Sequence, residues 1–345
     1  MIENFAGNRG AVETLERMLR EERIPHTILL DGPEGVGKAT LARRFAALLV
    51  GGADRIERDD LSLPHNVEVL LEREKLPSDK RAGDPFYLAT HPDFVTFCPD
   101  GPLRQISIEQ VRMLKERAQY GPLRGARRVF LVDSVDRAHE HAANSLLKIL
   151  EEPPPYLTLI LTAENPYDLL PTIRSRSVPI RLGRLAEEEM REFARSRGLA
   201  QSERRIALAC GSPGLAVTVD LEAYDRRRES MRALLESAAG RQPFAAWAQY
   251  SEKLAAARSE KLEPYLKVLY VLLEDVVHLR EGAGPVRNPD IREPLAKLAQ
   301  TVPFEWLRAA VEKTDRLVQS LRRNIQKNIA LDSLVLELRA VIRAS

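Results

Sequence analysis

With 345 residues, 44% apolar and 30% charged, the chain is long enough for two or three domains with sizeable cores. Its 52 basic and 50 acidic residues leave a net charge of +2, which excludes a chain drawn to nucleic acid by overall charge and leaves any DNA contact local or shared with partners. Cys98 and Cys210 stand far apart and form no CxxC pair, which argues against a disulfide framework or a cysteine zinc site and fits a reducing, cytoplasmic setting.

The N-terminus, Met1-Ile2-Glu3-Asn4-Phe5, has neither the basic start nor the apolar run of a signal peptide. Val12, Leu15 and Leu19 then mark one face of a first helix, and Thr27 to Leu30 reads as a buried strand. Directly after it comes Gly32-Pro33-Glu34-Gly35-Val36-Gly37-Lys38-Ala39-Thr40. Glycines at this strand-to-helix junction let backbone N–H groups turn toward a polyphosphate, and Lys38 adds a point charge. Gly32, Gly35, Gly37, Lys38, Ala39 and Thr40 are therefore the candidate nucleotide-binding set. The full motif places a serine or threonine after the lysine to ligate magnesium; Ala39 stands there, and Thr40, one residue on, points about 100° away on the helix.

Residues 51–89 break the rhythm with charges and Pro64, Pro77 and Pro85, and read as an insertion: a loop, or alternatively a small binding module. Further strands are expected at Asp93 to Phe97, Val129 to Val132, Leu157 to Leu161 and Ser177 to Ile180, five in all with the first. Such runs alternating with helical segments indicate an α/β fold with a parallel sheet between helices. Asp133, delivered at the end of the Val129 strand, suits a magnesium ion or its waters, or else is a turn-forming aspartate. Ser134 follows, and a serine cannot act as a general base as an acid there would. Asp136 lies beyond the strand end and would need an unusual turn to take that place. Ala143, Leu146, Leu147 and Leu150 form the stripe of an amphipathic helix that ends in Glu151-Glu152-Pro153-Pro154. Arg174 and Arg176 precede the last strand; they are solvated charges, partners for Glu151-Glu152, or one is an arginine offered to a neighbouring subunit.

Beyond Leu182 the pattern is helical, including Gly211-Ser212-Pro213-Gly214, a helix from Tyr265 to Arg280 and a long segment from Phe304 to Ala344 broken near Lys327. The most apolar stretch, Leu266 to Leu279, carries Lys267, Glu274 and Asp275 and is a buried bundle helix, not a membrane span.

The ordered set Gly32 to Thr40, His91-Pro92-Asp93, Val129 to Asp133, Ala142 to Pro154 and Ile173-Arg174-Ser175-Arg176 resembles the bacterial clamp-loader family of AAA+ proteins, with Leu321-Arg322-Arg323-Asn324 as in the family's C-terminal domain. The resemblance implies a P-loop AAA+ core with a five-stranded parallel sheet at 1–182 (insertion 51–89), a small helical lid at 183–220 and an all-α collar at 221–345. It implies a hetero-pentameric ring with gamma/tau and delta type subunits, part of the DNA polymerase III assembly, that loads a sliding clamp on primer–template DNA. Arg176 matches the family's trans-acting arginine finger, with Ser177 at the family's cysteine. Ala39, Ser134 and Gly214, the last where ATPase members carry a sensor arginine, are departures that imply a weak or absent ATPase and a degenerate ATP/ADP site. The family's four-cysteine zinc module is missing from 51–89, where His65 is the one soft-metal ligand, so no zinc is expected. Two other readings are a self-sufficient gamma/tau type motor and a nucleotide-free scaffold.

Overall fold

The computed structural model describes residue 2 and residues 5–256, 260–320 and 326–344. It divides into two compact units, Met1–Ser202 with Gly211–Thr218, and Glu203–Cys210 with Val219–Ser345.

The first unit runs α1 (Arg9–Arg20), β1 (Thr27–Asp31), α2 (Lys38–Val50), α3 (Ala53–Ile56), α4 (Pro64–Lys75), α5 (Ser78–Gly83), β2 (Leu88–His91), β3 (Phe94–Phe97), α6 (Ile108–Ala118), β4 (Arg128–Val132), α7 (Glu140–Glu151), β5 (Leu157–Ala163), α8 (Pro171–Ser175), β6 (Val178–Arg181) and α9 (Glu187–Ser196). The strands form one sheet in the order β2-β3-β4-β5-β1-β6. Five are parallel, as expected from the sequence; the sixth, β2, is an antiparallel edge strand hairpinned onto β3. It was not expected because Leu88–His91 is short and half exposed, with no continuous apolar run to announce it.

Alternation within the strands divides the core. Leu29, Val95, Phe97, Phe130 and Leu161 pack with α6 and α7 residues such as Leu114 and Leu146. Their neighbours Ile28, Leu30, Phe94, Val129 and Ile160 pack on the other face with Leu15, Leu41 and Phe45 of α1 and α2. With both faces covered, β1, β3, β4 and β5 are buried along their whole length.

The 51–89 segment is not a loop but carries three short helices and the start of β2. Pro64 starts α4, where the missing N–H costs nothing, and Pro77 precedes α5. Their charges are paired inward. Arg43, 2% exposed, contacts Glu57 and Asp60 at 3.1 and 2.5 Å, and buried Arg73 contacts Asp84 at 3.1 Å and Asp100 at 2.8 Å. Asn66 donates to the carbonyls of Arg58 and Asp60, and Thr90 to the Asp59 carboxylate.

Between 183 and 220 the chain is helical, with α9, α10 (Ser202–Ala209) and α11 (Pro213–Thr218). The second unit adds α12 (Leu221–Ala238), α13 (Phe244–Ala256), α14 (Glu263–Glu281), α15 (Arg292–Thr301), α16 (Phe304–Ser320) and α17 (Lys327–Ala344) around Leu234, Trp247, Leu269, Leu272, Trp306, Leu331 and Val335. Leu321 to Asn324 lies outside the described residues. Buried Asp275 accepts from the N–H groups of Arg287 and Asn288 and from the Asn288 amide, and so fixes the turn after α14. No helix among the described residues is long and apolar enough to cross a membrane.

Candidate functional site

β1 delivers the phosphate loop and α2 begins at Lys38, with Gly37 in the left-handed region at φ +98° as its cap. The loop is closed by its own neighbours. Lys38 Nζ donates to the carbonyls of Gly32 and Pro33 at 2.6 and 2.8 Å, and the Gly214 N–H donates to the Gly35 carbonyl at 2.8 Å. A β-carbon on Gly214 would stand 2.9 Å from that carbonyl oxygen, so no side chain fits where the resemblance places a sensor arginine. Gly35, at φ +77°, is equally tight: its β-carbon would meet Leu215 at 2.8 Å. Phe5 lies against Gly37. The Thr40 hydroxyl makes a long 3.5 Å contact with Arg43, so its partner belongs to the Glu57/Asp60 cluster.

At the end of β4, Asp133 is braced by Thr162, whose hydroxyl donates to its carboxylate at 2.5 Å and accepts from the Ser134 N–H at 2.8 Å. Ser134 takes the left-handed conformation at φ +56°, and a 3-10 turn, Val135–Arg137, follows. The turn sets Asp136 beside Glu164, just past the end of β5. One Asp136 oxygen accepts from the Glu164 N–H at 3.0 Å; the other is buried with no partner among the described residues. Burial pushes the Asp133 and Glu164 carboxyls above the usual carboxylate range, Glu164 further raised by Glu34. Burial also lowers the Lys38 ammonium, opposed by Glu164, Asp133, Asp136 and Glu34. Lys38 and Asp133 thus lie within electrostatic reach of each other, with Thr162, Glu164 and Asp136 nearby.

Thr162 and Glu164 were missed by sequence reasoning. They follow from topology, since β5 lies between β1 and β4 and its end must stand between the loop and Asp133. The residues present do not fit metal-assisted hydrolysis: Ala39 offers no hydroxyl, Thr40 is turned to Arg43, and Ser134 is held by its backbone with no acid in its place. No cluster of metal-binding type occurs among the described residues, and His65 is exposed on α4.

Arg176 sits at the C-terminal cap of α8. Its Nη2 pairs with Glu151, the last residue of α7, at 2.8 Å, while Nη1 donates to the Thr172 carbonyl at 3.1 Å and to the Ser175 hydroxyl at 3.3 Å. These contacts include no residue of the phosphate loop. Arg174 instead lies over the ring of Tyr167. Ser177 is buried and donates to the Ile173 carbonyl at 2.8 Å, so the small residue standing where the resemblance places a cysteine is satisfied. The His91-Pro92-Asp93 motif is supportive: Asp93 accepts from the N–H groups of Leu123 and Arg124 at 2.6 and 2.8 Å, holding the loop before β4.

Two family models match the chain: "DNA polymerase III, delta subunit" over residues 80–186 and "DNA polymerase III, delta subunit, C terminal" over residues 222–339. The chain is similar to the DNA polymerase III subunit delta' of Escherichia coli K12, 33% identical over 227 residues, covering 64% of this chain and 65% of that protein. It is similar to the delta' subunit of Pseudomonas aeruginosa PAO1, 28% identical over 231 residues, covering 64% of each. It is also similar to the subunit tau/gamma of Haemophilus influenzae, 28% identical over 189 residues, 54% of this chain and 24% of that one. In each case the match spans less than two thirds of the relative's length.

Proposed function

The chain belongs to the DNA polymerase III delta-subunit family, and from that premise we propose that it is a clamp-loader subunit of delta-prime type, which organises a hetero-pentameric ring with gamma/tau and delta type subunits. In this reading residues 1–182, 183–220 and 221–345 are core, lid and collar, the ring places a sliding clamp on primer–template DNA, and the chain works in the cytoplasm. Arg176 acts in trans toward a neighbour's ATP. Guanidinium suits that role because it stays charged and can bridge two phosphate oxygens. The chain's own site holds ATP or ADP weakly or not at all and hydrolyses poorly. The observation that carries this is the contrast between a phosphate loop closed by Lys38 and Gly214 and an arginine outside it that still has N–H groups to offer.

The test is ATP turnover by the reconstituted complex. Arg176→Ala should lower DNA-stimulated turnover at the served site by at least about tenfold while the ring still assembles. Lys38→Ala should leave it nearly unchanged. Unchanged turnover in the arginine variant would sink the finger assignment; a Lys38-dependent steady rate from the isolated chain would favour the motor reading. Labelled ATP or ADP that fails to bind the isolated chain would favour an empty loop.

A further inference from the structure

The geometry points to Glu151 as the positioning residue that sets Arg176 for its neighbour, an inference that rests on Arg176 being the trans-acting arginine proposed above. The pair is 2.8 Å long with side chains 35% and 48% exposed, and such a surface pair contributes little to stability. Its interest lies in the donors it leaves available. Nη1 donates to the Thr172 carbonyl and the Ser175 hydroxyl, whereas Nη2 meets Glu151 as an ion pair without the alignment of a hydrogen bond. The N–H groups on Nε and Nη2 make no hydrogen bond among the described residues. Two donors are therefore left for a pair of phosphate oxygens, without Glu151 having to let go.

The base of the side chain is equally fixed. The Arg176 N–H donates to the Ile173 carbonyl at 3.2 Å, the Ser177 hydroxyl donates to the same carbonyl, and Ile173 is buried in the core. Arg174, one residue before Ser175, is held over Tyr167. Backbone and guanidinium are thus tied to two helices, α7 through Glu151 and α8 through Thr172. A long side chain held in this way meets its target with fewer rotamers to lose, which is how pre-organisation raises a rate without adding a contact. Glu151 touches no reacting atom in this scheme and acts through Arg176 alone.

The experiment uses the reconstituted complex, comparing Glu151→Gln, Glu151→Asp, Arg176→Ala and the Glu151→Gln/Arg176→Ala double variant, with assembly followed by gel filtration. Glu151→Gln should lower kcat for ATP by about three- to fivefold, the scale of one exposed ion pair, with KM little changed. Glu151→Asp, which keeps the charge, should restore part of the loss, and the double variant should be no slower than Arg176→Ala. Turnover unchanged or raised in Glu151→Gln while Arg176→Ala is slow would overturn the positioning role and leave the finger standing. A further loss in the double variant would overturn it too, by showing that Glu151 acts independently. If Arg176→Ala is itself fully active, the finger reading fails first and the inference fails with it.

Discussion

Asp133 combines desolvation with a short hydroxyl bond from Thr162. Burial raises its carboxyl pKa, while the Thr162 hydroxyl bond, Arg43 and Lys38 pull it back only in part. A carboxylate whose folded pKa is raised contributes stability at low pH, below its unfolded value, and that contribution is lost as pH rises through the folded pKa. At neutral pH the charged form is therefore a burden. Replacing Asp133 with asparagine keeps an acceptor for Thr162 and removes the charge, so thermal melts should show the first unit stabilised by about 2–4 °C near neutrality. The gain should shrink as the pH is lowered and the wild-type acid takes its proton; a melting temperature that falls at neutral pH would contradict this. Around the loop, Lys38 and Asp133 were legible in the sequence because a motif and a strand end announce them. Thr162, Glu164 and the turn that sets Asp136 beside Glu164 were not. The first two need the strand order, and the third needs a serine in a conformation that serine seldom adopts.

The same division holds for helices and strands. Buried parallel strands write themselves as apolar runs, so β1, β3, β4, β5 and β6 were visible, whereas the short edge strand β2 and the helices of 51–89 were not. A charge paired in the interior and a charge in water look alike in a sequence, and this is why the 51–89 segment read as a loop. Arg73 makes the difference measurable. The Asp100 side chain is as buried as that of Arg73, while the Asp84 side chain is mostly in solvent. Arg73→Ala should cost about 3–5 kcal/mol, because it leaves Asp100 buried and unpaired. Asp84→Asn should cost about 0–1 kcal/mol, as for an exposed pair. Denaturant midpoints decide between them, and equal losses would mean that the segment is held by something other than the Arg73–Asp100 pair.

The division of the chain into two units, each with its own core, predicts that unfolding is not a single transition. Nature has placed the means of seeing this in the sequence. Both tryptophans, Trp247 and Trp306, are fully buried in the second unit, and the Trp247 indole donates to Asp332 at 2.7 Å. Tryptophan fluorescence therefore follows the helical unit alone, while far-ultraviolet circular dichroism follows both. The two signals should give different midpoints on heating. Arg73→Ala, which acts in the first unit, should move an early dichroism transition downward by several degrees and leave the fluorescence midpoint within about 1 °C of wild type, since distant sites without shared partners behave additively. Coincident midpoints that shift together in the variant would show the units to be coupled, and stability changes at Asp133 or Arg73 would then have to be read as properties of the entire chain.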